Sequence, residues 1–350
     1  MDYHQDHHLL LSGATDECRL WDLRTPSRGA ALCIRYPGQG DVLSVLLEDS
    51  KRNGNETTAT DEGSASPFSF PCTVYAAVGN KVYQHDLSHA TTPILTYAEE
   101  LQSSLLTAED EINQIILSPD GSTLAAADDT GHIQWLRLQD NNQQHQVCHA
   151  ADALTTAIYF SPRTKHMVSG GTDCTIKLWS YNNSSSSSSS RPPQLRRTVP
   201  PLTTKNDDNN TWCNPPMVHA LAYNTTGDLI AAGLGDGSVG ILQASSLTWM
   251  WHLEQAHGTS GVADVVWQGD QRLWSAGNDG QIVQWTVGSD DGDGDDDGLL
   301  QSPQRVFSMQ HHVPKMNWLT ITRRPQSGST TLFVADTTHD ITMYSISPIG

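Results

Sequence analysis

The chain has 350 residues, with 20 Lys or Arg against 39 Asp or Glu, and its formal net charge of −19 repels a phosphate backbone and excludes nucleic acid as a natural partner. Hydrophobic residues make up 37% and charged ones only 17%. The balance is rich in Gly, Ser, Thr, Asn and Asp, which favours turns and short strands over long amphipathic helices.

From the start of the chain, MDYHQDHH carries neither a basic flank nor an apolar signal core. No later stretch approaches the ~18 apolar residues that cross a bilayer. A soluble cytoplasmic or nuclear protein with no membrane partner is therefore expected. HHLLLSG (7–13) and DECRLWDLR (16–24) read as the first two apolar strands, and the polar stretch 49–70 follows. Next come three clear copies of one pattern, a small-residue strand, an Asp/Gly turn and a strand closing on Trp: LAAADDTGHIQWLR (124–137), MVSGGTDCTIKLWS (167–180) and LWSAGNDGQIVQWT (273–286). In each copy the turn Asp precedes the Trp by six residues, as Asp129 and Trp135, Asp173 and Trp179, Asp279 and Trp285. LIAAGLGDGSVGILQ (229–243) is a weaker copy with Leu242 in place of Trp, and divergent copies close at Trp21, His85 and Tyr344.

This pattern resembles the WD40 repeat, and the resemblance covers nearly the whole chain. It implies an all-β, seven-bladed WD40 β-propeller, a single unit over residues 1–350. The intervals 21–85, 179–242 and 285–344 exceed the ~40–45 residues of a blade. Three insertions account for the excess, at 49–70, at 182–211 around a serine run, and at 288–303 around SDDGDGDDDG. They lack the apolar content to offset ordering entropy and are expected to be disordered. The start comes early for this family, because the few polar residues ahead of HHLLLSG cannot supply both the innermost strand of blade one and the outermost strand of blade seven. Incomplete closure is expected, with N-terminal strands missing and a sheet edge exposed. Such a start fits either a truncated chain or a ring completed by a partner.

The repeat residues read first as framework: the Trp packs between sheets and the turn Asp satisfies backbone donors. In the family a His, a Ser or Thr, the Asp and the Trp also share a buried hydrogen-bond network, and repeat six supplies a full set in His257, Ser275, Asp279 and Trp285. Phrases such as EDEINQIILS (109–118) and LFVADTTHDITMYSI (332–346) go beyond the generic repeat. They resemble a branch of WD40 proteins for which the implied role is a candidate substrate receptor of cullin-4-type RING ubiquitin ligases, docked on the damaged-DNA-binding adaptor through a W-D-x-R box. One box is present, Trp21-Asp22-Leu23-Arg24. Arg24 there is a bidentate donor for a partner carboxylate or carbonyl. The plainer alternative is a repeat end with an Arg two places on by chance.

The opposite face collects Asp41, Glu109, Asp110, Glu111, Asp128, Asp129, Asp152, Asp173, Asp236, Asp279 and Asp336, with few basic residues besides Lys315. An acidic mouth of this kind suits a basic peptide. Asn113, Thr155, His219 and Asn317 stand at the matching third position of the innermost strand, as hydrogen-bonding groups for such a peptide. A hydrated channel of small polar groups and turn-bound aspartates is the alternative. A general assembly scaffold that binds basic peptides, with no ligase role, is thus the second function.

Other chemistry lacks its parts. Cys18, Cys33, Cys72, Cys148, Cys174 and Cys213 are scattered, with neither a zinc spacing nor a disulfide framework. The acidic tract has Asp296 and Ser302 where a calcium loop needs Gly and Glu. His4, His7 and His8, and the pair His311 and His312, have no Cys or second His pair at ligand spacing. No G-x-S-x-G, P-loop, H-E-x-x-H or Rossmann glycine set occurs, so no enzyme activity, cofactor or metal is expected.

Overall fold

A computed structural model describes residues 1–4, 7–24, 29–49, 70, 72–96, 104–138, 145–181, 192–200, 215–288, 302–311, 315–323, 329–338 and 340–347. The chain divides into two compact units, Met1–His149 and Ala150–Gly350. All regular structure among the described residues is β, and the fold is a seven-bladed β-propeller.

Unit one contains β1 (Asp2–His4), β2 (Leu9–Ala14), β3 (Glu17–Asp22), β4 (Leu32–Arg35), β5 (Val42–Asp49), β6 (Cys72–Val78), β7 (Lys81–Asp86), β8 (Ile94–Thr96), β9 (Leu106–Thr107), β10 (Ile112–Leu117), β11 (Thr123–Asp128), β12 (His132–Arg137) and β13 (His145–His149). Its sheets run β1-β2-β3-β4-β8, β5-β6-β7-β9 and β10-β11-β12-β13. Unit two contains β14 (Thr155–Phe160), β15 (His166–Gly171), β16 (Ile176–Ser180), β17 (Gln194–Val199), β18 (Val218–Tyr223), β19 (Leu229–Leu234), β20 (Val239–Gln243), β21 (Thr248–Leu253), β22 (Val262–Gln268), β23 (Arg272–Gly277), β24 (Gln281–Thr286), β25 (Gln304–Gln310), β26 (Met316–Arg323), β27 (Thr330–Asp336) and β28 (Ile341–Ile346). It forms three four-stranded sheets in chain order and a last sheet, β26-β27-β28, that is three-stranded among the described residues.

The small-residue strand of the repeat is the second strand of each blade, buried on both faces. Every residue of β6 and of β11 is buried. Small residues there make room for the next blade. A Cβ on Gly170 would stand 2.3 Å from Cγ1 of Val218, and one on Gly233 would stand 2.8 Å from Cγ1 of Val262. Each of these valines opens the first strand of the following blade, so a methyl group on either glycine would push adjacent sheets apart. The closing positions Trp21, His85, Trp135, Trp179, Leu242, Trp285 and Tyr344 all lie on third strands, opposite second-strand residues from Leu10 to Leu332.

Two expectations need correction, and one further strand was not anticipated. Blade one does not lack its innermost strand: Asp2, Tyr3 and His4 pair with Leu11, Leu10 and Leu9. Asp2 further ties β1 to the neighbouring β5, accepting the Leu47 N–H at 2.7 Å. Three residues suffice because this side-chain bond supplements a short ladder. Blade one also gains β8, which runs parallel to β4 and caps its outer edge. Last, Gln194–Val199 lies inside the second expected insertion, yet it is the fourth strand of its blade and pairs with β16. Five of its six residues are exposed, as suits a polar edge strand. The rest of the three insertions, including the serine run and the acidic tract, falls almost wholly outside the described residues.

Candidate functional site

The W-D-x-R box sits where β3 ends. Trp21 Nε1 donates to Ser12 Oγ at 3.0 Å, the bond that Trp179 makes to Ser169 at 2.9 Å and Trp285 to Ser275 at 3.0 Å, so the box Trp is framework. The Leu23 N–H donates to the His8 carbonyl at 2.9 Å and holds the turn that follows. Asp22 Oδ1 accepts the Arg24 backbone N–H at 3.0 Å and its Nε–H at 2.8 Å, while Oδ2 accepts from Nη2 at 2.6 Å. This bidentate Arg24 bond, ahead of the burial that opposes it, holds the Asp22 carboxyl below its usual range. The Arg24 side chain remains 61% exposed. The guanidinium is therefore held in one orientation while facing solvent, with only two of its five N–H donors engaged by Asp22.

The aspartates of the opposite face have mostly internal roles. Asp173 accepts the Thr175 N–H at 3.0 Å, Asp236 the Ser238 N–H at 3.0 Å and Asp279 the Gln281 N–H at 2.9 Å, each closing the turn between second and third strands. Asp128 and Asp336 are buried. Lys177 Nζ lies 3.2 Å from Asp173 Oδ2 and offsets its charge. On the loop entering β10, Glu109 is 75% exposed and Asp110 is exposed too, and Asp41 is exposed ahead of β5. Glu111, next in line, is half-buried.

The four expected peptide contacts do not share one register. First strands carry a bulge at which one residue has no cross-strand partner, and Asn113, His219 and Asn317 occupy it in their blades. In β14 that place belongs to Thr156; Thr155 pairs with Gly171 and is fully buried. The tandem threonines hid the one-residue offset. Asn113 Nδ2 donates to Asp129 Oδ1 at 2.8 Å, His219 Nδ1 lies 3.1 Å from the Val262 carbonyl, and Asn317 Nδ2 donates to the Asp336 carbonyl at 3.0 Å.

The repeat-six network is complete. His257 Nδ1 meets Asp279 Oδ1 at 3.0 Å and its Nε2 meets the Ser275 hydroxyl at 2.8 Å. Burial by itself would raise the Asp279 carboxyl, but the bonds from His257 and the Gln281 N–H outweigh it and hold the group below its usual range. A second network escaped sequence reasoning, which had paired His311 only with His312. His311 Nε2 lies 2.8 Å from Asp336 Oδ2 and its Nδ1 lies 2.7 Å from the Tyr344 hydroxyl. Tyr36 meets His85 Nε2 at 2.9 Å in unit one. There the aromatic hydroxyl and the imidazole have exchanged strands, and burial pushes His85 down to about 4.

Asp264 is perturbed the other way. Asp264 Oδ2 accepts the Leu319 N–H at 2.8 Å and Oδ1 the Val265 N–H at 2.8 Å, yet burial pushes the group up from 3.8 to about 7. A raised carboxyl binds its proton more tightly when folded, so its contribution is fully present below pH ~4 and is lost as pH rises through ~7. Asp264→Asn removes the charge and one acceptor. Its stability relative to wild type should therefore improve by roughly 2–4 kcal/mol between pH 4 and pH 8. Urea titrations at both pH values measure this, and a pH-independent difference would contradict it.

The described cysteines are free thiols. Burial pushes Cys18 and Cys72 up to about 12 and Cys148 up to about 11, so none of these three is a reactive thiolate at neutral pH. Among the described residues, no helix is long and apolar enough to cross a membrane.

Among known families, the WD domain, G-beta repeat, matches residues 142–180, the repeat that ends on Trp179. A relative in Dictyostelium discoideum, WD repeat-containing protein 53 homolog, is 22% identical over 361 residues, which cover 98% of this chain and 90% of that protein. Protein transport protein sec13 of Aspergillus fumigatus is 28% identical over 120 residues, 29% of this chain and 39% of that protein. Of solved structures, a chain in the crystal structure of the mitotic checkpoint complex aligns with TM-score 0.65 at 14% identity, over 98% of this chain and 88% of its own length. Sheet order and these similarities together make the chain a seven-bladed β-propeller that carries one WD repeat match and is similar along nearly its whole length to WD repeat-containing protein 53 homolog.

Proposed function

We propose that this propeller is a non-catalytic interaction scaffold that docks on the adaptor of a cullin-4-type RING ubiquitin ligase through Arg24 and serves there as a substrate receptor. The observation that carries the reading is the exposed Arg24 fork held by Asp22. An Arg already ordered in the free protein loses less side-chain entropy on binding, which favours it as an anchor. Affinity purification of wild type and Arg24→Ala from cells tests the proposal. Adaptor should accompany wild type and be depleted with the variant, by about thirtyfold if Arg24 contributes the ~2 kcal/mol of an interface anchor. Equal recovery with both proteins would refute it.

A second reading rests on the exposed Glu109 and Asp110. A basic peptide would be drawn to this loop, and the attraction would fade with salt because the Debye length is ~8 Å at physiological ionic strength. Fluorescence anisotropy with a Lys/Arg-rich peptide should show tighter binding to wild type than to a charge-reversed Glu109, Asp110 and Glu111 variant at low salt. The two should converge at high salt. Identical affinities at low salt would end this reading.

A further inference from the structure

We propose that His4, His7 and Asp49 form a binding site for a divalent transition metal of the zinc class, one that clasps the β1–β2 hairpin to the end of β5. Each of the three residues offers one ligand atom, and these atoms all lie within 4.8 Å of one another. His7 Nε2 stands 3.7 Å from Asp49 Oδ2, beyond hydrogen-bond length yet close to the separation of two ligands on one metal. The His4 and His7 rings stack with centroids 4.7 Å apart and planes inclined by 27°.

Two orphaned atoms point to a ligand. His4 Nδ1 and His7 Nε2 are both shielded from solvent and neither has a hydrogen-bond partner. A desolvated imidazole nitrogen without a partner is unfavourable, and a metal ion would satisfy it. Two imidazoles and one carboxylate are ligands that zinc accepts, with a remaining position for water, whereas calcium and magnesium prefer oxygen donors throughout. Neither His spacing nor composition exposes the site in the sequence, because the third ligand comes from the neighbouring blade, at the last residue of β5. The bond from Asp2 to Leu47 N–H already draws β1 against the same strand, so a metal would brace a contact that exists without it.

The test uses the full chain with no polyhistidine tag. Zinc binding is measured by competition with a chromophoric chelator, and cobalt(II) reports coordination through its visible d–d absorption. One equivalent should bind, with a raised melting temperature and a cobalt spectrum of four- or five-coordinate type. Asp49→Asn, nearly isosteric, and His7→Ala should each weaken binding by tenfold or more and abolish both the spectrum and the thermal shift. His8→Ala, which changes a residue outside the cluster, should leave all three intact. Binding of equal strength in wild type, Asp49→Asn and His7→Ala would overturn the proposal, as would a cobalt spectrum of fully hydrated octahedral type. Should His7→Ala fail to fold, Asp49→Asn alone decides.

Discussion

His257→Ala should destabilise the protein by about 3–5 kcal/mol at pH 7, enough to unfold many domains of ordinary stability. The imidazole is fully buried and joins the Asp279 carboxylate to the Ser275 hydroxyl, which in turn accepts the Trp285 indole N–H. Alanine removes the imidazole that Asp279 and Ser275 share and leaves polar groups desolvated and unpaired. Because Asp279 is held below its usual range, the stability it contributes is present above its unfolded pKa and is lost as pH falls through the folded value. The cost of His257→Ala should accordingly shrink in acid. Gly277→Ala provides a second route to the same damage, since its new Cβ would stand 2.3 Å from His257 Nδ1. Urea denaturation of both variants at neutral and acid pH measures this. Losses under about 1 kcal/mol would show the network to be dispensable.

Trp274→Ala should cost a similar 3–5 kcal/mol for a different reason, the cavity left by a large side chain. Trp274 is 1% exposed. It packs edge-on against Phe307, with centroids 6.1 Å apart, and belongs to a cluster with Leu319, Leu332 and Val334 from the last blade. Its indole N–H donates to Gln268 Oε1 at 3.2 Å, and Gln268 Nε2 donates to Thr330 Oγ1 at 2.9 Å, so the Ala variant also strands a polar relay between blades six and seven. Trp274→Phe keeps most of the volume and should recover a large part of the loss. Equal stability of wild type and Trp274→Ala would contradict this packing account.

The parts of the fold legible in the sequence are those whose chemistry repeats. Trp at the close of a third strand and small residues in the second strand recur because each blade must present the same faces to its neighbours, as Gly170 does to Val218. What stayed illegible is what breaks the repeat. Asp2–His4 has no apolar alternation, and its place is secured by one carboxylate reaching Leu47. Gln194–Val199 reads as linker because an outermost strand needs backbone partners but almost no apolar face. The parallel strand Ile94–Thr96 pairs with a blade other than the one preceding it in sequence, which no local pattern announces. At the candidate sites, the W-D-x-R box was legible as the close of a third strand. Asp128 and Asp336 were misplaced because an Asp that closes a turn or binds a buried His has the same local sequence as one that faces solvent.

The most direct test of the docking account is equilibrium binding with purified components, titrating the cullin-4 adaptor into wild type, Arg24→Ala, Arg24→Lys and Asp22→Ala. The account predicts measurable affinity for wild type and loss of roughly thirtyfold for Arg24→Ala. Arg24→Lys should rescue little, because an ammonium cannot reproduce a planar fork. Asp22→Ala should fall between, since it keeps the guanidinium but frees it to move. Affinity indistinguishable among the four proteins, or no binding by wild type, would contradict it.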